Sequence, residues 1–528
     1  MIESDKHLRG QTHVRRSRRM FGQCGRLAAL TLAVLTAAAC TATSGTSETD
    51  GGSGGAGDGG SITVSTISSL PNLDAHLPSA SPVIDVFDNM YEQLYDFEAD
   101  GTLAPELAAE LPEQVEENRW RVKLREDVTF HNGDPFDADA AIANIERMTD
   151  PETGAEFLDL IATIVAVERV DDFTIDLLTD SLDVVLPSRL SYIRMMAPST
   201  FEDKAVADEG VGTGPYELDS WDEASSITLN RNDDYWGEEP EISQAKFVFL
   251  EEPGTRVAAL LSGEVDVIMG LSPDDQERVP QWANSSDKAA VLGQPNVDPN
   301  VVTGDVRVRR AMMHALDRES IAQELYGGSA EVLDGAALVE GWFGFDPNVG
   351  SYEYDPEKAA DLIREAGAEG ATVRVVYDAG RWPRIAEITQ IAQAAWSDIG
   401  LNVELDNQPG EAWVDTLMGV SERPEIIMIQ TTNEFRDASL SADKYMHPDS
   451  DRTTQEDPEL ARILDSAIAT SDSDEREELY SQAIGIMHDQ VYSLPLVSEP
   501  SATVGMAEGV SWTPGVEARP IVANMSLN

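Results

Sequence analysis

The chain has only two cysteines in 528 residues, Cys24 and Cys40. Both fall within the first forty positions, so the remainder has no disulfide, no thiol nucleophile and no thiolate metal site. It must be held by its core, which a chain of this length buries readily. Basic residues are also scarce: 37 Lys and Arg stand against 96 Asp and Glu, for a net charge of −59. Seven of those basic and two of those acidic residues lie in 1–39, which leaves −64 on the rest. A field of that sign disfavours nucleic acid and anionic lipid as partners. The acids are spread along the chain rather than gathered in a tail, which points to a solvated acidic surface and a salty exterior where screening is short-ranged. No apolar run reaches the roughly 20 residues of a bilayer span, and no period of about 20–50 residues recurs, which sets aside solenoids and propellers. Hydrolase signatures are missing as well: there is no His-Glu-x-x-His, no Gly-x-Ser-x-Gly other than the low-complexity Gly51-Gly52-Ser53-Gly54-Gly55, which has no strand or helix pattern around it, and no phosphate-cradling Gly-x-x-x-x-Gly-Lys. His76, His131, His314, His447 and His488 have no second histidine within helical reach and are expected as surface or capping residues. No catalytic residue, metal or cofactor is expected. A secreted hydrolase stays as the rival class, and a surface adhesin as a third.

What is present begins with a leader. Arg15-Arg16-Ser17-Arg18-Arg19 precedes an uncharged segment from Leu27 to Ala39, and small residues stand before Cys40. A positive region, a short apolar region and a small-residue cut site describe an export signal over 1–39. Ser17-Arg18-Arg19-Met20-Phe21 resembles the twin-arginine motif, with Sec export the alternative. Ala37-Ala38-Ala39-Cys40 resembles a bacterial lipobox, which would make Cys40 the lipidated first residue of an extracytoplasmic protein anchored to the outer face of the cell membrane. Residues 40–61, rich in Ser, Thr and Gly, then form a flexible tether.

Beyond the tether, Ser61–Ser65 alternates like a strand. Ser81-Pro82 starts a helix whose apolar face runs through Val86, Phe87, Met90, Tyr91 and Leu94. Strands are expected at Trp120–Leu124, Thr129–Phe130 and Phe173–Leu178, with a helix begun by Asp137. Further strands follow near 216–218, 227–229 and 247–249, and at Val265–Met269 after a helix stopped by Gly263. From about 300, helices alternate with spaced strands: Asp355-Pro356 to Gly367, Thr372–Tyr377, Pro383–Ile399, Asn402–Leu405, Glu411–Met418 and Ile426–Ile429. That alternation implies a largely parallel sheet covered on both faces. Helices near 458–470 and 474–489 precede a last strand at Tyr492–Leu496.

Several phrases occur in a definite order: Asp100-Gly101-Thr102-Leu103-Ala104-Pro105-Glu106-Leu107-Ala108, Arg125 through Phe130-His131-Asn132-Gly133, Gly212-Thr213-Gly214-Pro215-Tyr216, Arg231-Asn232-Asp233-Asp234-Tyr235-Trp236-Gly237, Leu261-Ser262-Gly263-Glu264-Val265-Asp266 and Tyr354-Asp355-Pro356-Glu357-Lys358-Ala359. Together they resemble the extracytoplasmic solute-binding proteins of peptide/nickel ABC importers, family 5, from about residue 62 to the end. Most of these phrases have a structural reading as turns, caps and tight crossings.

The resemblance implies an α/β fold of the periplasmic-binding-protein type II kind: two α/β lobes with a hinge, plus an inserted mixed α+β domain. Lobe I is expected from 62–97, 211–296 and 494–528, the insertion at 98–210 and lobe III at 297–493, with crossings near 211, 297 and 494. It implies a monomer that captures an oligopeptide or related small solute between the lobes and delivers it to permease and ATPase subunits. A nickel or metal chelate, or an oligosaccharide, is the alternative ligand. Where peptide-binding relatives carry Gly-Trp and an amine-anchoring aspartate, this chain has Gln430-Thr431-Thr432-Asn433-Glu434-Phe435-Arg436-Asp437. Asn433, Glu434, Phe435 and Asp437 are candidate ligand residues there, with Glu434 a substitute anchor. Arg194 matches an arginine that holds chelate carboxylates in nickel-type relatives, against the plainer reading of a surface ion pair. Trp382 and Trp413, near loops after strands, are candidate aromatic walls.

Overall fold

The computed structural model describes residues 59–77, 81–155, 157–201, 208–334 and 336–528. The expected export signal, Cys40 and the tether up to residue 58 lie outside these residues. Three main sheets organise the rest. A seven-stranded sheet runs in the order 281–284, 503–506, 267–268, 61–66, 244–249, 226–231 and 216–222. A six-stranded sheet runs 331–332, 494–500, 288–295, 426–431, 372–377 and 402–407. In chain order, between the strands 61–66 and 216–222 of the seven-stranded sheet, lies an antiparallel four-stranded sheet, 113–116, 119–123, 174–179 and 164–171, packed on the helix Ala138–Thr149. Among the described residues no helix is long and apolar enough to cross a membrane.

Local chemistry explains many of the elements. Asp137 caps its helix by accepting from the Ala140 N–H, satisfying one of the donors a helix start leaves orphaned. Asp355 and Pro356 open a helix that Gly367 ends at φ 68°, burying Ala359 and Ile363. The strands Thr372–Tyr377 and Asn402–Asn407 pair in parallel because the helix Ile385–Asp398 makes the crossover between them. Trp396 on that helix is fully buried, and its indole N–H donates to Met312 O at 2.9 Å.

Several expectations are corrected. The helix from Ser81 ends at Phe87: the Asn89 and Met90 carbonyls accept from Tyr216 N and Gly214 N instead of continuing the helical ladder. Gly212 permits this approach, since a β-carbon there would lie 2.0 Å from Met90 O. Thr129 makes only an isolated bridge to Pro135. The six-stranded sheet is mixed rather than largely parallel, because Lys288–Pro295 runs antiparallel to both its neighbours. That strand and Leu494–Pro500 belong to the six-stranded sheet, so the chain changes sheets at 285–287 and 501–502 rather than at 297 and 494. The two crossing segments are stitched together: Ser285 N donates to Ala502 O at 2.9 Å, Ser501 N donates to Asp287 O at 3.0 Å, and the two serine hydroxyls meet at 3.0 Å.

Candidate functional site

Where the three sheets converge, a cavity of about 20 Å³ remains, lined by Tyr192, Arg194, Asp287, Glu434, Arg436, Glu517 and Arg519 among others. That is room for a single water. The walls come from every part of the fold. Tyr192 ends, and Arg194 follows, the short helices after the four-stranded sheet, Asp287 is in the crossing segment, Glu434 and Arg436 are on the loop after the strand Ile426–Thr431, and Glu517 and Arg519 lie near the C-terminus. Tyr192 closes the junction by donating from its hydroxyl to Glu434 O at 3.1 Å. Larger open hollows lie nearby: one of about 560 Å³ beside Glu92 and Glu106, which shares Phe97 with the small cavity, and one of about 790 Å³ beside Gly509 and Trp512.

Arg194 is not a surface ion pair. It is 3 % exposed and donates from Nε and Nη2 to Asp88 Oδ1 at 2.8 and 2.5 Å. Its backbone is fixed by His76, whose ring bonds Arg194 O at 2.8 Å and faces Arg147 Nη1 at 2.8 Å on the other side. Burial lowers the His76 pKa to about 4, so the ring is neutral, donating to the carbonyl and accepting from Arg147. Arg519 reaches the same carboxylate from the opposite side, Nη1 to Asp88 Oδ2 at 2.8 Å, and Asp96 at 3.1 Å. Burial alone would raise the Asp88 carboxyl; Arg194 and Arg519 overcome it and hold it below its ordinary value. Arg194 thus has a partner from the protein itself.

The 433–437 loop divides its residues between structure and cavity. Asn433 lines the cavity, but its side chain is spent on the turn, accepting from Phe435 N at 3.1 Å and donating to Asp437 O at 2.7 Å and Ser441 Oγ at 3.0 Å. Asp437 caps the following helical turn and takes both bonds from Arg476 Nη2 at 2.8 and 2.9 Å, so it is structural rather than a ligand residue. Phe435 is buried against Tyr192, with ring centroids 6.3 Å apart, and lies under Arg189; it packs its loop onto the segment 185–192 instead of lining the cavity. Glu434 does line it, with Lys444 at 3.2 Å.

Trp382 and Trp413 do not form a wall of this site. They pack edge to face at 5.2 Å with Arg381 against both rings; Trp413 is buried in the core and Trp382 is half-buried against it, and neither lines the cavity. His76 and His314 are buried and His131 is half-buried, and each bonds a backbone carbonyl. Residues the sequence reading passed over carry most of the charge here: Asp88, Asp287, Arg436, Glu517 and Arg519. Burial raises the Asp287 carboxyl, with Trp342 and Arg436 acting the other way, and burial raises Glu517 against the pull of Arg519. The one sequence signal available was the lone cation Arg436 inside the loop already singled out. Among the described residues no group of three or more His, Asp or Glu side chains is placed to hold a metal ion. Such an arrangement presents both cations and carboxylates to a charged solute once the cavity is opened.

The profile described as "Bacterial extracellular solute-binding proteins, family 5 Middle" matches residues 102–452. The nickel-binding periplasmic protein of Escherichia coli (strain K12) is 25 % identical over 447 residues, covering 77 % of this chain and 83 % of that protein. The crystal structure of NikA from Brucella suis in complex with Fe(III)-EDTA superposes with a TM-score of 0.78 at 24 % identity, over 89 % of this chain and all of that one. DppA from Helicobacter pylori, in complex with peptide STSA, superposes at 0.71 with 21 % identity, over 89 % of this chain and 98 % of that one. The fold is therefore the two-lobed α/β type with an inserted domain, and the chain belongs to the extracellular solute-binding proteins of family 5.

Proposed function

We propose that this family 5 solute-binding protein is the receptor of an ABC importer, which captures a small solute between its lobes and presents the closed form to the permease. One observation carries the reading: charged side chains from the insertion, the 285–287 crossing, the loop after Ile426–Thr431 and the C-terminal segment meet around a cavity too small for any solute. The cleft must open to load, and the two stitched strand crossings at 285–287 and 501–502 are the natural hinge. Lobe I is then 62–97 with 211–284 and 503–528, the insertion 98–210, and lobe III 288–500. The ligand order is an oligopeptide or modified peptide first and a carboxylate-bearing chelate second, in keeping with what the named relatives bind. An oligosaccharide stands last, since neither Trp382 nor Trp413 lines the cavity. Capture without turnover separates the receptor from a hydrolase. Purified protein should retain a solute from a mixture of tri- to pentapeptides and metal chelates, gain thermal stability from it, and release it chemically intact; hydrolysed product would refute the reading.

We also propose that Cys40 is the lipidated first residue of the exported protein. Cys40→Ala should move the protein from the membrane fraction to the medium, and unchanged membrane retention would refute lipidation. Normal export after Arg18→Lys with Arg19→Lys would favour Sec over twin-arginine export.

A further inference from the structure

The cations of the cleft are not equally engaged. Arg194 and Arg519 share Asp88, and Arg519 also holds Asp96. Arg436 differs. Among the described residues its guanidinium makes one hydrogen bond, Nη1 to Asp287 Oδ1 at 2.9 Å. Among the described residues its Nε has no partner, although the residue is only 9 % exposed and lines the cavity.

Two features hold this guanidinium in place. Arg436 has φ 51°, a left-handed conformation that residues with a β-carbon rarely adopt and that collects at functional sites. Over the face of the guanidinium lies Gly101, in the turn between the strands Tyr95–Phe97 and Leu103–Pro105. A β-carbon there would stand 2.3 Å from Arg436 Cζ. Gly101 is at φ 84°, so the glycine supplies both the turn and the clearance. Arg436 therefore spans from its own loop to the strand crossing at Asp287 and to the hairpin at the mouth of the inserted domain.

An arginine carries five donors in a planar fork, and its Nε–Nη2 edge matches the two oxygens of a carboxylate. With Nη1 given to Asp287, that edge is what Arg436 has left. We propose that Arg436 is the residue that receives a carboxylate of the captured solute, and so selects for it. The solute carboxylate adds to Arg436 beside Asp287 instead of displacing an internal partner, as it would have to at Arg194. This assignment rests on the cleft being the solute site.

The test uses the full protein and four probe sets: tri- to pentapeptides as free acids, the same peptides as C-terminal amides, Ni(II)-citrate with Fe(III)-EDTA, and neutral oligosaccharides. Retained species are read by mass spectrometry after rapid desalting. Wild type should retain free-acid peptides or a chelate, which tells the two carboxylate sources apart, and neither the amides nor the sugars. Arg436→Gln should weaken retention about thirtyfold or more, as for truncating one partner of a buried charged pair, and Arg436→Lys should restore part of it. Gly101→Ala should weaken retention while every charge stays in place. Should Arg436→Gln fold poorly with Asp287 left alone, Arg436→Gln combined with Asp287→Asn removes the buried charge together with its partner and should show the same loss. Equal retention of acids and amides, or Arg436 variants that retain as wild type does, overturns the assignment and leaves the receptor reading standing. Wild type retaining nothing from any set overturns the receptor reading and this assignment with it.

Discussion

Glu499 offers the cleanest perturbation of this acidic chain. It lies on the strand Leu494–Pro500 just before the crossing at 501–502, is 6 % exposed, and has one carboxylate oxygen without a hydrogen-bond partner among the described residues. Burial raises its pKa from 4.5 to about 8, with Tyr326 and Arg384 only partly opposing. Arg384 is itself drawn off toward Asp274 at 2.6 Å and Glu387 at 3.5 Å. The folded protein thus holds the proton until about pH 8, whereas the unfolded chain releases it near 4.5. Between those values the folded state binds more protons, so stability falls as pH rises. At about 1.4 kcal/mol for each tenfold change in proton affinity, the ceiling is on the order of 5 kcal/mol. Relaxation and water entry around a buried charge leave about 2–3 kcal/mol. Glu499→Gln keeps the shape and removes the charge. Urea unfolding should show the variant within about 0.5 kcal/mol of wild type near pH 5 and about 2–3 kcal/mol more stable near pH 9. A stability difference independent of pH, or a variant less stable at the alkaline end, would refute the buried-carboxyl reasoning.

Three further perturbations follow from the packing. Asp88→Asn leaves Arg194 and Arg519 buried without their shared charge and should cost about 3–5 kcal/mol in urea unfolding; a loss under about 1 kcal/mol would mean that water already screens the triad. Trp413→Ala should cost about 3–5 kcal/mol of stability yet leave solute retention at wild-type level, and a selective loss of retention would return Trp413 to the site. Raising KCl from dilute buffer to molar concentration should raise the melting temperature, since −59 formal charges then repel less. Sulfate at equal ionic strength separates this from strengthened apolar burial.

Elements whose cause is local were legible in the sequence. The cap at Asp355-Pro356, the stop at Gly367 and the strand Thr372–Tyr377 need only neighbours along the chain, and they stand where the residues place them. Elements set by distant partners were not. The helix from Ser81 had the right apolar spacing through Leu94, but the backbone at 89–90 is claimed by a segment more than a hundred residues away. Lys288–Pro295 was not recognised as a strand at all. It carries Gly293 and Pro295, poor strand formers, and exists because it is central between two antiparallel partners. Assigning it to its sheet is what moves the crossing to 285–287.

The site was less legible than the fold, for a physical reason. A charged side chain in sequence does not say whether the fold will supply its counter-ion. Arg194 matched a carboxylate-binding position, yet Asp88 comes to it from 106 residues away and occupies the same fork a ligand would need. Arg436 matched nothing, because its value lies in what it lacks on one edge and in the glycine that clears its face. Affinity for a solute arises only where binding makes a hydrogen bond that the closed protein had not already made for itself, since exchanging an internal charged pair for an equivalent external one gains little. By that argument the saturated Asp88 cluster contributes rigidity to the closed cleft and little selectivity. The unfilled edge of Arg436 discriminates, and a neutral sugar or an amidated peptide would leave a buried guanidinium donor facing no acceptor of matching charge.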